Sequence, residues 1–192
     1  MIKQRSPHYF LALELSTQLK EKLTNQQHAI QSLIGQNSYK SWTGFDDYHI
    51  TLAFFGALND NQKRLLIDRF ASLETRKTFS VRIGALGYFG NQERPRVIWV
   101  KVERSAELLA LLSAVQHIMT QLNFQVDQRR FVPHITLAKQ ARYDQINLKL
   151  WSEISRLGQN DWLEWIEAVV LYRIESNRTP KYYPEARFRL KG

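Results

Sequence analysis

HITLAFFG at residues 49–56 and HITLAK at residues 134–139 open with the same five letters, and the fold follows from what those letters are for. In an extended strand successive side chains alternate, so His49 and Thr51 share one face while Ile50 and Leu52 share the other. His134 and Thr136 stand likewise against Ile135 and Leu137. The apolar pair anchors each strand to a core, which leaves the polar pair facing outward. One word repeated in matching surroundings marks an internal repeat.

Working outward from each copy, the same order of elements recurs. Residues 8–15, HYFLALEL, read as a buried strand, and Ser16 or Thr17 caps a helix striped by Leu19, Leu23, Ile30 and Ile34 and stopped at Gly35. The first HITL strand ends at Gly56; Asn59 or Asp60 then caps a helix to about Glu74, with Leu65, Leu66, Arg69, Phe70 and Leu73 on or beside one face. FSVRIGALGYFG reads as a strand bent at its glycines. In the second half RVIWVKV is a strand, and Ser105 caps a helix carrying Leu108, Leu111, Leu112, Val115, Met119 and Leu122. The second HITL strand follows, then a short helix near residues 146–156, one strand WIEAVVLYRIE and a last strand in ARFRL. NQERPR, residues 91–96, is the most loop-like interior stretch and is expected to carry the chain between halves. The expected fold class is α+β: residues 1–192 form one bilobal duplicated unit with mainly antiparallel sheets, helices on the outside and a central cleft carrying both His-x-Thr motifs.

The composition bounds the function. Of 192 residues, 44% are hydrophobic and 12% aromatic, enough for a substantial core. The absence of cysteine excludes disulfides, thiolate metal sites and cysteine nucleophiles, and favours the cytoplasm. No stretch approaches the ~18 apolar residues of a membrane span, so no membrane role is expected. Lys and Arg number 27 against 18 acidic residues, a net charge of +9, which favours a polyanionic partner. These cations are scattered with no block of five, as on a folded surface or cleft rather than a basic tail.

If the two polar faces converge, two imidazoles and two hydroxyls line one site. Histidine has an unperturbed pKa of about 6.5, so one copy can serve as base and the other as acid near neutrality. The hydroxyls of Thr51 and Thr136 can donate to non-bridging phosphate oxygens. Such a site breaks a phosphodiester without a metal or other cofactor. A lone His-x-Thr in a strand is ordinary; its duplication carries the reading. A non-catalytic module binding nucleotides or RNA ends would need no paired acid and base. A metal site on both histidines would need Asp46 or Asp47 to complete it. Phe10 and Tyr9 are aromatic strand residues, and Phe10 is a candidate for stacking on a nucleobase. His8 falls at a strand end and His28 and His117 on polar helix sides; for Tyr172, Arg178 and Tyr182 bordering the substrate and packing the sheet are equally compatible with the sequence.

Taken together, HITLAFFG, RRFVPHITLAK, FLALEL, ALGYFG, RVIWV, VVLYRIE and PKYYPEARF resemble, over nearly the whole chain, the RNA 2',3'-cyclic phosphodiesterases also called 2'-5' RNA ligases, of the two-histidine phosphoesterase superfamily. The resemblance implies a bilobal fold with a central cleft and metal-independent opening of a terminal 2',3'-cyclic phosphate on RNA to a 2'-phosphate, with ligation as the same chemistry with a hydroxyl replacing water. It places His49 and His134 as catalytic residues, Thr51 and Thr136 as phosphate ligands, and Arg130 as the cation before the second motif. His49 is taken as proton donor to the departing 3' oxygen and His134 as acceptor from water. A monomer acting on RNA ends is expected. Phe45-Asp46-Asp47-Tyr48 departs from the commoner Pro-Glu-Asn-Leu before the first motif.

Overall fold

The computed structural model describes residues 7–92, 95–142, 148–159 and 161–192. Nine strands are described: β1 (His8–Leu13), β2 (Tyr39–Trp42), β3 (Ile50–Ala57), β4 (Phe79–Gly90), β5 (Pro95–Val102), β6 (His134–Ala141), β7 (Trp162–Ile166), β8 (Ala168–Ile174) and β9 (Tyr182–Arg189). The α-helices among these residues are α1 (Thr17–Ile34), α2 (Asp60–Phe70), α3 (Ala106–Gln121) and α4 (Leu148–Arg156).

The helices begin where the sequence directs. Ser16 accepts from the Leu19 N–H at the start of α1, Ser105 from Leu108 at the start of α3, and Asn59 and Gln62 close a reciprocal capping box on α2. Gly35, at φ 83°, ends α1. The predicted stripes are the buried faces: Leu19, Leu23, Ile30 and Ile34 in α1, and Leu108, Leu111, Leu112, Val115 and Met119 in α3. Burying each such side chain contributes about 1.5–3 kcal/mol. Leu65 of α2, by contrast, is 44% exposed.

All pairing between named strands is antiparallel, in two sheets ordered β3-β1-β8-β9 and β2-β6-β5-β4-β7. The two halves of the chain do not each own a sheet. In the first sheet β3 and β1 come from the first half and take β8 from the second; in the second sheet β6 and β5 come from the second half and take β4 from the first. Three expectations are corrected accordingly. NQERPR joins β4 to its antiparallel neighbour β5, so it connects strands within one sheet; its Glu93 and Arg94 lie outside the described residues. WIEAVVLYRIE is two strands, because the chain leaves the second sheet after β7 and enters the first with β8, turning at Glu167. The polar stretch after α1 contributes β2, which pairs with β6 as an edge strand. Residues 143–147, read as loop and the start of a helix, lie outside the described residues.

The register explains why five letters repeat. Thr51 pairs with Ala12 and Ala53 with Leu11, which leaves Leu52 between them unpaired in β3. Thr136 pairs with Trp99 and Ala138 with Ile98, which leaves Leu137 unpaired in β6. Each is a bulge, where two successive residues turn to the same side. Leu52 and Leu137 are buried, and the alanine that follows lies alongside on the core side, opposite fully buried Leu11 or Ile98. A small residue is needed there because two consecutive side chains share one face. At the second bulge Gln27, buried in α1, donates through Nε2 to the Leu137 carbonyl (3.0 Å) and to that of Thr43 (2.9 Å). The Leu137 carbonyl also accepts the Thr43 N–H (2.9 Å), so the bulge is tied both to the Thr43 backbone and to α1.

Candidate active site

Each histidine enters its strand with the same backbone bond. The Nδ1–H of His49 donates to the Asp47 carbonyl (2.7 Å), and that of His134 to the Val132 carbonyl (2.8 Å). A carbonyl only accepts, so both neutral rings are fixed with Nε2 as the unprotonated nitrogen. In His49 that nitrogen accepts from the Thr51 hydroxyl at 3.0 Å.

The rings sit among aromatics. His49 packs on Phe10 (ring centres 4.8 Å apart) and edge-on to Tyr182 (5.0 Å). His134 packs edge-on to Phe89 (4.9 Å) and lies 5.8 Å from Trp99. The Trp99 indole lies across Gly87 on β4, where a Cβ would come within 2.3 Å of the ring atoms. Burial pushes the His49 pKa down to about 4; the Asp47 carbonyl pulls it back up, and the charges of His134 and Lys139 lower it. Burial also lowers His134, against the Val132 carbonyl. Both imidazoles are therefore neutral at pH 7.

A cavity of about 180 Å³ is lined by Thr43, Asp47, His49, Thr51, Thr136, Lys139 and Tyr182. It brings the first His-x-Thr pair against the threonine of the second. His134, two residues before Thr136 on the same face, lies outside the lining but close enough for its charge to act on His49. Lys139 supplies the cavity's cation and donates to the Tyr182 hydroxyl at 3.3 Å. Asp47, 5% exposed, accepts the backbone N–H groups of Lys181 (2.9 Å) and Tyr182 (3.0 Å), fastening β9 to the residue whose carbonyl holds His49. Two hydroxyls, an ammonium and two imidazoles around so small a space suit a phosphate group.

Other sequence-singled residues fall elsewhere. Arg130 is exposed on the irregular segment before β6 and does not line the cavity; because that segment is not a strand, spacing from His134 does not set its direction. Its neighbour Arg129 is tied to Asp127. Phe10 is 3% exposed, stacked with Tyr172 and covered by His49, so it supports the imidazole instead of offering a face to a base. The exposed aromatic on that side of the sheet is Phe54, opposite Phe10 and 57% exposed. His28 and His117 are exposed helix residues, and Arg178 pairs with Glu175. Tyr172 is buried in the sheet, whereas Tyr182 lines the cavity.

The fold and site define an α+β protein of two antiparallel sheets, with one imidazole and two threonine hydroxyls lining an anion-sized cavity and a second imidazole beside it. The chain belongs to the 2'-5' RNA ligase superfamily, whose family model matches residues 17–178. It is 30% identical over 190 residues to the RNA 2',3'-cyclic phosphodiesterase of Geobacillus stearothermophilus, covering 96% of this chain and 58% of that protein. It is 27% identical over 186 residues to the RNA 2',3'-cyclic phosphodiesterase of Bacillus subtilis, covering 96% and 97%. Among solved structures, a Thermus thermophilus protein matches with a TM-score of 0.77 at 21% identity over 96% of this chain and 98% of its own. Escherichia coli LigT complexed with 3'-AMP matches with a TM-score of 0.74 at 20% identity over 97% and 100%. These two likenesses establish the fold. No helix among the described residues is long and apolar enough to cross a membrane.

Proposed function

We propose that this protein is a metal-independent RNA 2',3'-cyclic phosphodiesterase that opens a terminal cyclic phosphate to a 2'-phosphate, and that with a ribose 5'-hydroxyl in place of water the same ring opening forms a 2'-5' linkage, as in a 2'-5' RNA ligase. The observation that carries the reading is the convergence of Thr51, Thr136, Lys139 and His49 on one phosphate-sized cavity, with His134 beside it. Water attacks phosphorus in line with the departing 3' oxygen. One imidazole accepts the water proton, the other protonates the 3' oxygen, and the new P–O bond leaves the phosphate on the 2' oxygen. Hydroxyls and ammonium hold the non-bridging oxygens as charge builds on them.

The expected order, His49 as donor and His134 as acceptor, needs a protonated His49, whose pKa burial pushes down to about 4. It therefore requires bound phosphate to raise the basicity of His49. Thr51 couples the two events: turning its hydroxyl from His49 toward phosphate frees Nε2 to hold a proton. The names of the relatives support RNA ends as substrate. A cytoplasmic monomer is the simplest setting for a cysteine-free chain of this kind.

The test is product analysis with an oligoribonucleotide ending in 2',3'-cyclic phosphate, in excess chelator. A product with a 2'-phosphate, resistant to a 3'-specific phosphatase, is expected. A 3'-phosphate product, no turnover, or turnover only after adding a divalent metal would overturn the proposal.

A further inference from the structure

The cleft face of β6 carries a second cationic position that the terminal phosphate does not account for. Lys139, Thr136 and His134 pair across to Val97, Trp99 and Lys101 of β5. Directly opposed residues in an antiparallel pair project to the same side with Cβ atoms about 5 Å apart, so Lys101 rises from the cleft face next to His134. Lys139 and Lys101 thus stand at opposite ends of one row. Four residues of β5 separate their levels, roughly 13 Å of strand. A single phosphate seated against Lys139 and Thr136 leaves Lys101 to another anion.

The neighbouring charges sharpen this. Arg82 is engaged by Asp161 at 2.8 Å and by Glu103 at 3.9 Å, so the carboxylate two residues along from Lys101 is already occupied. Arg129 is engaged by Asp127 at 2.5 Å. Lys101 and Arg130 are both exposed and have no acidic partner among the described residues. Arg130 lies on the segment leading into His134, at the same end of β6 as Lys101. The strongly basic composition therefore has a local expression at the His134 end of the cleft. An RNA strand places its anions in series, so the group following the terminal phosphate is the phosphodiester on the 5' side of the last nucleoside.

We propose that Lys101, assisted by Arg130, docks the phosphodiester that precedes the terminal cyclic phosphate, so that the protein selects oligonucleotides over nucleoside cyclic phosphates. This rests on the reading of the cavity as the terminal-phosphate site, and it adds a polarity: the strand enters from the His134 side. Paired cations without acidic partners draw a polyanion by releasing its counterions, and each contact contributes about 0.7 to the log–log salt slope for a single strand.

Lys101→Met keeps the stem and removes the charge, and Lys101→Arg restores it. Two measurements are made across a salt series: kcat/KM for an oligoribonucleotide 2',3'-cyclic phosphate and for a nucleoside 2',3'-cyclic phosphate, and equilibrium binding of a labelled oligoribonucleotide ending in 2'-phosphate. The preference for oligonucleotide should fall at least threefold in Lys101→Met and return in Lys101→Arg, and the binding slope should flatten by about 0.7. An unchanged preference ratio with an unchanged slope overturns the proposal. If the wild type turns over neither substrate, the phosphodiesterase reading fails, and the salt slope of binding alone decides Lys101.

Discussion

Acidification should weaken the fold through His49, and replacing that imidazole with an amide should remove the weakening. Burial holds the folded-state pKa at about 4, against 6.5 for an unconstrained histidine. Between these values the unfolded chain binds a proton that the folded site refuses. Stability is therefore full above about pH 6.5, is lost as the pH falls toward 4, and levels off below that. At 1.36 kcal/mol per pH unit the whole interval amounts to about 3 kcal/mol. Solvent access to a half-buried ring reduces this, and about 1–2 kcal/mol is expected between pH 7.5 and pH 5. Urea unfolding of the wild type and of His49→Asn at pH 7.5, 6 and 5 measures it, since the asparagine amide keeps a donor for the Asp47 carbonyl while losing the titration. His134 and every carboxylate remain in both proteins, so the difference between the two pH slopes isolates His49. Parallel slopes would refute the argument, as would an imidazole resonance of His49 that titrates near 6.5.

Single His49→Ala and His134→Ala changes should each lower kcat/KM on a cyclic-phosphate substrate by roughly 10²- to 10⁴-fold, and the double change by far less than the product of the two; near-wild-type turnover in either folded variant contradicts the paired mechanism. A substrate with sulfur in place of the bridging 3' oxygen needs no proton to leave, so it should restore turnover to the variant lacking the acid; rescue of His134→Ala and not His49→Ala would reverse the assigned order. Gly87→Ala forces the Trp99 indole away from its place beside His134 and should cost about 1–3 kcal/mol of stability along with activity. An alanine variant as stable and active as the wild type would show that the indole has room to spare.

The paired histidines and threonines, the helix caps and the buried stripes were legible because each rests on a local rule: alternation along a strand, a side-chain oxygen at a helix start, apolar spacing around a turn. Lys139 and Phe54 were hidden by the same rule. Each lies an odd number of residues from its histidine, which strict alternation assigns to the core side. The bulges at Leu52 and Leu137 insert one extra residue and bring both back to the cleft. The signal was present in the letters Leu-Ala, two apolar residues in succession with the second one small. Asp47 and Tyr182 could not be joined from sequence, since 135 residues separate the carboxylate from the amide it receives. WIEAVVLYRIE reads as one strand because both of its sheets bury apolar residues, and periodicity does not register which sheet a residue has joined.

The crossed ownership of strands has a consequence for any attempt to halve this molecule. A chain cut between β4 and β5 would give two pieces, each with one His-x-Thr strand and each holding two strands of the other's sheet, β2 and β4 in one and β8 and β9 in the other. Neither piece closes its own sheet. Two copies of such a half would complete each other only by trading those strands, as partners in a reciprocal exchange. The active cavity would then exist only in the pair, with one histidine from each copy. In the present chain a single covalent thread enforces that marriage, so the spacing of the two imidazoles depends on no encounter between molecules and is the same at any protein concentration.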